Sequence, residues 1–176
     1  MKLSVSRQLS RVFNYPDEAY LASLQSLTDE LQVQPKASEH LSCLAKAIGA
    51  KNTGELAELY SNTFDLCPAC APYLSVHLFG EENYKRSSLM TGLMEAYSNV
   101  GISCNGELPD HIAVVLAALD VLDDELRHDL VSFCLVPALD KMEAELRRLD
   151  NPYLHAVLAL KCWFTQPQAK AEVQCA

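Results

Sequence analysis

The chain has 176 residues, 49% of them apolar, and a formal charge of −9 from 14 Lys and Arg against 23 Asp and Glu. That length can bury roughly two thirds of the unfolded surface in one packed unit, and the apolar fraction excludes a disordered chain. No run of Lys or Arg exceeds two residues, so phosphate backbones would be repelled and nucleic acid is a poor partner; a basic protein partner, or simple solubility, suits the acidic balance better.

The amino terminus, MKLSVSRQLSRVFNYP, lacks the uninterrupted apolar core of a signal peptide. No apolar run reaches the roughly 20 residues of a membrane span. The longest candidate, 112–122, meets Asp120 and ends against Asp123, Asp124 and Glu125. The reading is a cytoplasmic protein without stable membrane insertion. Its seven cysteines (Cys43, Cys67, Cys70, Cys104, Cys134, Cys162 and Cys175) then read mostly as reduced thiols.

Helical periodicity recurs along the chain. Tyr20, Leu24, Leu27 and Leu31 form a stripe at helical spacing after a start signal at Pro16-Asp17. Ser38 is the predicted cap of a helix carrying Leu41, Leu44 and Ile48 and ending at Gly49; Thr53 is the predicted cap of the next, with Leu56, Leu59, Tyr60, Thr63 and Phe64 facing inward. The prolines of Cys67-Pro-Ala-Cys-Ala-Pro72 predict a loop or bent connector. A short helix through Tyr73, Leu74, His77 and Leu78 should end at Gly80. A long one follows, with Leu89, Met90, Leu93, Ala96, Tyr97 and Val100 on one face and Gly101 as its stop.

A second connector, 103–109, leads to Asp110 as the predicted N-cap of a helix bearing Ile112, Val115, Leu116 and Leu119. The remainder reads as a helix near 124–136, a break or new start at Pro137, a helix to about 149, and a last one opened by Asn151-Pro152; the tail after about residue 166 is expected to be frayed. With only 6 glycines and no convincing strand or repeat, the fold class is all-α: one domain over 1–176, a bundle of roughly eight to ten helices.

Phosphate-binding glycine loops, G-x-S-x-G and H-E-x-x-H are all absent, which lowers the prior for an enzyme. Cys67 and Cys70 have C-x-x-C spacing, which suits a chelate, but a structural zinc needs four ligands and no second pair exists. They read chiefly as ordinary loop thiols, with metal binding and redox sensing as the alternatives, and no cofactor is expected. Glu107-Leu-Pro-Asp-His111 has two readings as well. In the plainer one Asp110 caps the helix and His111 lies exposed in its first turn. In the other, the same helix end is a polar site where Asp110 attracts an arginine or the free N–H groups attract an anion.

The order of segments resembles the NarJ family of nitrate reductase assembly chaperones, relatives of the TorD and DmsD redox-enzyme maturation proteins. The resemblance rests on Tyr60-Ser-Asn-Thr-Phe-Asp-Leu66, Pro72-Tyr-Leu-Ser-Val-His77-Leu-Phe-Gly80, Lys85-Arg86 heading a helix, and Glu107-Leu-Pro-Asp-His111, with Tyr15-Pro16-Asp17 and Asn151-Pro152-Tyr153 in support. It covers about residues 8–160. It implies a TorD-like helical chaperone, not an enzyme. Such a chaperone binds the amino-terminal or twin-arginine leader segment of a molybdenum oxidoreductase catalytic subunit, and holds it for cofactor insertion before membrane attachment or export.

Carried over by position, the implied client-binding residues are His77, Phe79, Gly80, Lys85, Arg86, Pro109, Asp110 and His111. The chain departs from the family in having Cys67-Pro-Ala-Cys70 where relatives are more basic, and Ser87 where they have Gly. The client stays open between nitrate reductase and another enzyme of the dimethyl sulfoxide reductase class. Two rival readings also stand: a small metal- or thiol-dependent protein centred on Cys67 and Cys70, or a helical regulator with an unrelated partner.

Overall fold

Helix α1 (Val5–Val12) opens on Ser4, whose side chain accepts from the Arg7 N–H and also reaches Asp120 across the fold. The structure, a computed structural model, describes residues 4–65 and 68–165. Leu9, Val12 and Phe13 are buried along the inner side of α1. A turn at 14–19, tightened by Asp17 Oδ1 accepting from the Ala19 N–H, starts α2 (Tyr20–Glu30). Its stripe Tyr20, Leu24, Leu27 and Leu31 is fully in the core.

Two capping expectations are corrected. Helix α3 (Pro35–Ile48) begins at proline, whose fixed φ and missing N–H suit a first turn. Ser38 lies inside that helix and donates its hydroxyl to the Thr28 carbonyl. Helix α4 (Thr53–Phe64) is capped by Asn52, not Thr53, in a reciprocal capping box with Glu55. Asn is as good a cap as Thr or better, and the glutamate three residues on decides between the neighbours.

After the connector come α5 (Leu74–Phe79), α6 (Tyr84–Asn99) and α7 (Ile112–Ala118). Gly80 ends α5 at φ 79°, ψ 168°, a backbone region essentially confined to glycine. Helix α6 is more exposed than its pattern suggested. Leu93 and Tyr97 are buried, Leu89 and Ala96 pack partly against the core, and Val100 at its end is 38% exposed.

The expected break at Pro137 is also corrected. Helix α8 (Asp124–Asp129) runs through a π-helical segment, Leu130–Leu135, into α9 (Val136–Arg148). Pro137 has no N–H to give the α-helical ladder, and the wider π turns before it absorb that loss without ending the rod. Helix α10 (Leu154–Thr165) closes the described chain. Among the described residues there is no strand, only one isolated bridge, and no helix long and apolar enough to cross a membrane. The fold class is all-α. Cys67 and the tail after residue 166 lie outside the described residues.

Helix α10 packs on α3 and α9, α1 on α7 and α2, and α5 sits between α6 and α9. Segments far apart in sequence meet in one aromatic core. Tyr153 lies edge-on to Phe64 with ring centroids 4.8 Å apart, Phe64 packs on Phe13, and Tyr60 joins Tyr15 to Tyr153. The buried hydroxyls find partners: Tyr20 donates to the Val12 carbonyl and lies 3.4 Å from the Tyr153 hydroxyl, and Tyr60 donates to the Phe13 carbonyl. Asn151 Nδ2 donates to Thr63 Oγ1 at 2.8 Å. Paired polar tips are what allow tyrosines to be this deeply buried.

Candidate functional site

The two connectors meet in a short antiparallel pairing. Tyr73 bridges His111, with the Leu74 N–H donating to the Asp110 carbonyl and the Ile112 N–H to the Pro72 carbonyl. This clamp sets the start of α5 beside the start of α7 and brings Pro109, Asp110, His111 and, through Ser75, Arg86 into one region.

Asp110 is 0% exposed. Its Oδ2 accepts from the Ser75 N–H at 3.1 Å and from the Ser75 hydroxyl at 2.5 Å. The same hydroxyl accepts from Arg86 Nε at 2.9 Å, and Arg86 also donates to the Glu81 carbonyl. Asp110 Oδ1 is buried without a hydrogen-bond partner. The expectation that Asp110 caps α7 is therefore corrected. The cap is His111, whose Nδ1 accepts from the Ala113 N–H. Asp110 points the other way, onto Ser75, because the bridge to Tyr73 turns the backbone there into an extended conformation.

His111 is not exposed as expected but 3% exposed, with its ring edge-on to Tyr73 at 5.5 Å. Burial pushes its imidazole below the ordinary pKa, partly offset by the nearby Glu107 and Asp110 carboxylates. The Tyr73 hydroxyl reaches Glu107 at 3.4 Å, and burial and that carboxylate together push the phenol up. Pro109 is buried and its carbonyl accepts from the Tyr97 hydroxyl. Beside this clamp a groove of about 430 Å³ opens between α1, the 101–107 connector and α7, with Arg7, Arg11, Cys104, Glu107, His111 and Val114 along it.

The other predicted residues separate. Lys85 is exposed at the start of α6, and Phe79 is half-buried. His77 faces away from the clamp. Its Nε2 lies 2.7 Å from the Ala71 carbonyl oxygen, and its Nδ1 faces Glu145 on α9 at 3.8 Å. Cys70, 1% exposed, sits against the same carboxylate, and burial with that neighbour pushes its thiol well above the ordinary value. Sequence reasoning missed Ser75, Tyr97 and Glu145. A serine on the inner face of the short, mostly apolar helix α5 was a signal for the first; Glu145, among ordinary surface charges on a distant helix, offered none.

The sequence pattern of the family described as "Nitrate reductase delta subunit" matches residues 30–159, well over half of the 176. The chain belongs to this family. All eight expected client-binding residues fall within the matched stretch. Similar members include the nitrate reductase molybdenum cofactor assembly chaperone NarJ of Escherichia coli strain K12, 27% identical over 151 residues, which cover 82% of this chain and 63% of that protein. The protein of the same description from Escherichia coli O157:H7 matches to the same extent. The chain thus spans under two thirds of the length of the curated relatives it matches. A crystal structure described as a redox enzyme maturation protein from Archaeoglobus fulgidus shares the fold, with a TM-score of 0.66 over 94% of this chain and 96% of that one at 21% identity.

Proposed function

We propose that this delta-subunit family member is a cytoplasmic assembly chaperone working as a single helical domain. In this reading it binds the amino-terminal or leader segment of a molybdenum oxidoreductase catalytic subunit, of the nitrate reductase or dimethyl sulfoxide reductase class. It holds that subunit until the molybdenum cofactor is inserted, and makes or breaks no bond itself. The observation that carries the reading is the family match over residues 30–159, which contains the whole clamp.

The geometry supports a peptide-binding role in three ways. The groove beside His111, about 430 Å³, has apolar Val114 on its wall and charged Arg7, Arg11 and Glu107 along it. The Asp110–Ser75–Arg86 links tie the starts of α5, α6 and α7 together, which favours a surface formed before the client arrives. The formal charge of −9 favours encounter with a basic segment such as a twin-arginine leader. Phe79, Gly80 and Lys85 would then flank the clamp as the outer part of the surface, with Pro109 and Asp110 as its internal support.

Titrating a peptide copied from the catalytic subunit's amino terminus into the chain tests this. Saturable one-to-one binding that weakens as salt rises is the expected result. Binding of the whole catalytic subunit with no affinity for the peptide would overturn the amino-terminal assignment and keep the chaperone reading; affinity for neither would overturn both.

A further inference from the structure

Away from the groove, three potential metal ligands from three separate elements converge. Cys70 lies in the 68–73 connector, His77 on α5 and Glu145 on α9; one ligand atom from each falls within 4.8 Å of the others. In a four-coordinate zinc site with bonds of ~2.0–2.3 Å, neighbouring ligand atoms lie roughly 3.3–3.8 Å apart. Nδ1 of His77 and Oε1 of Glu145 are already 3.8 Å apart. Closing the rest asks for small side-chain movements, since Glu145 is an unbranched side chain that is 41% exposed.

The histidine is oriented as a metal-bound histidine would be. With Nε2 2.7 Å from the Ala71 carbonyl oxygen, that nitrogen carries the proton and donates. Nδ1 is the ring nitrogen that faces Glu145, and a backbone carbonyl on the far ring nitrogen is the usual partner of a metal-bound histidine.

We propose that Cys70, His77 and Glu145 form a zinc site with three protein ligands and one position open to solvent. Thiolate, imidazole and carboxylate together suit this borderline cation better than calcium or magnesium, which take oxygen alone. Zinc bonds to Cys70 Sγ, His77 Nδ1 and a Glu145 oxygen. The Cys70 thiol loses its proton to solvent, directly or through Glu145, and no electron moves. The site would tie the first connector to α5 and α9, on the opposite side of α5 from the Ser75–Asp110 contact. It is independent of the chaperone reading and departs from the expectation of plain loop thiols.

The test uses the chain made without a metal-affinity tag, stripped by a chelator and titrated anaerobically with cobalt(II), a spectroscopic stand-in for zinc. Expected are one cobalt per chain, a near-ultraviolet thiolate-to-cobalt charge-transfer band, the intense visible bands of a low-coordinate site, and displacement by zinc. Cys70→Ser should abolish the charge-transfer band. His77→Gln and the more conservative Glu145→Gln, with helical circular dichroism confirming their folding, should each weaken cobalt binding by roughly tenfold or more. Cys67→Ser should keep the band and the stoichiometry. A wild type without the band, a band that survives Cys70→Ser, or full affinity in Glu145→Gln would overturn the assignment. Loss of the band in Cys67→Ser would also overturn it, by moving the metal to the C-x-x-C pair.

Discussion

Ser75 and Asp110, on opposite sides of the clamp between the two connectors, are joined through both the backbone N–H and the hydroxyl of the serine, with Asp110 fully buried. A carboxylate in that position is a structural part whose removal exposes unpaired donors. Asp110→Asn keeps one oxygen for the two Ser75 donors but removes the charge on it, and places an amide N–H2 where Oδ1 already has no partner. The expected loss is about 1–3 kcal/mol of folding stability, measured by urea denaturation. The loss should vary little with salt, since the pair is buried. An unchanged midpoint would show that the contact contributes nothing.

The buried imidazole of His111 sets a pH dependence. Its folded pKa lies below its ordinary value of 6.5 because burial disfavours the charged form. Between those two pKa values the unfolded chain binds the proton and the folded one does not, so stability falls as pH drops from 6.5 through the lowered folded pKa. His40, lowered by burial and by its neighbour His155, acts in the same direction. Urea midpoints at pH 7.5 and 5.0 should therefore differ, and His111→Asn, which retains a capping side chain, should flatten part of that difference. A pH-independent midpoint between those values would contradict the burial of His111 and the partial burial of His40.

Much of this fold is readable from the residues alone, because helical periodicity is a local signal: Tyr20, Leu24, Leu27 and Leu31 face the core as their spacing requires. Caps were harder to read, since Thr53 and Asn52 are adjacent and only the side-chain geometry of Glu55 separates them. The site was legible as a set of segments but not as an arrangement. Asp110 at a helix start looks like a cap by every local rule, and it is overruled by the bridge of its neighbour His111 to Tyr73, 38 positions earlier in the chain. Glu145 near Cys70 and His77 has no local signature at all, because the packing of α5 on α9 alone brings it there.

The aromatic core joins the start and end of the chain. Phe64 is 4% exposed and touches the rings of Phe13, Tyr60 and Tyr153. Phe64→Ala should cost about 3–5 kcal/mol, the range for a buried aromatic truncated to alanine. Phe64→Leu should cost well under that. A loss below about 1 kcal/mol for Phe64→Ala would mean that the rings collapse into the gap instead of holding their positions.

Lys85 and Arg86 are neighbours in sequence but differ in what they touch, and this separates a binding role from a structural one. Arg86 donates to the Ser75 hydroxyl and the Glu81 carbonyl. Arg86→Ala should therefore cost about 1–2 kcal/mol of stability through lost hydrogen bonds to a charged donor. Lys85 is exposed at the first turn of α6. Lys85→Ala should leave stability within about 0.5 kcal/mol. If Lys85 belongs to the client surface, its removal should change peptide affinity by about 0.2–1 kcal/mol, the scale of an exposed charge contact, and the change should shrink at high salt. The two measurements, urea denaturation and peptide titration, are made on both variants. Stability loss confined to Arg86→Ala with a salt-dependent affinity change in Lys85→Ala is the expected pattern. An Arg86→Ala variant as stable as wild type would remove the buried relay from the account, and an affinity unmoved by Lys85→Ala would place the client surface away from the start of α6.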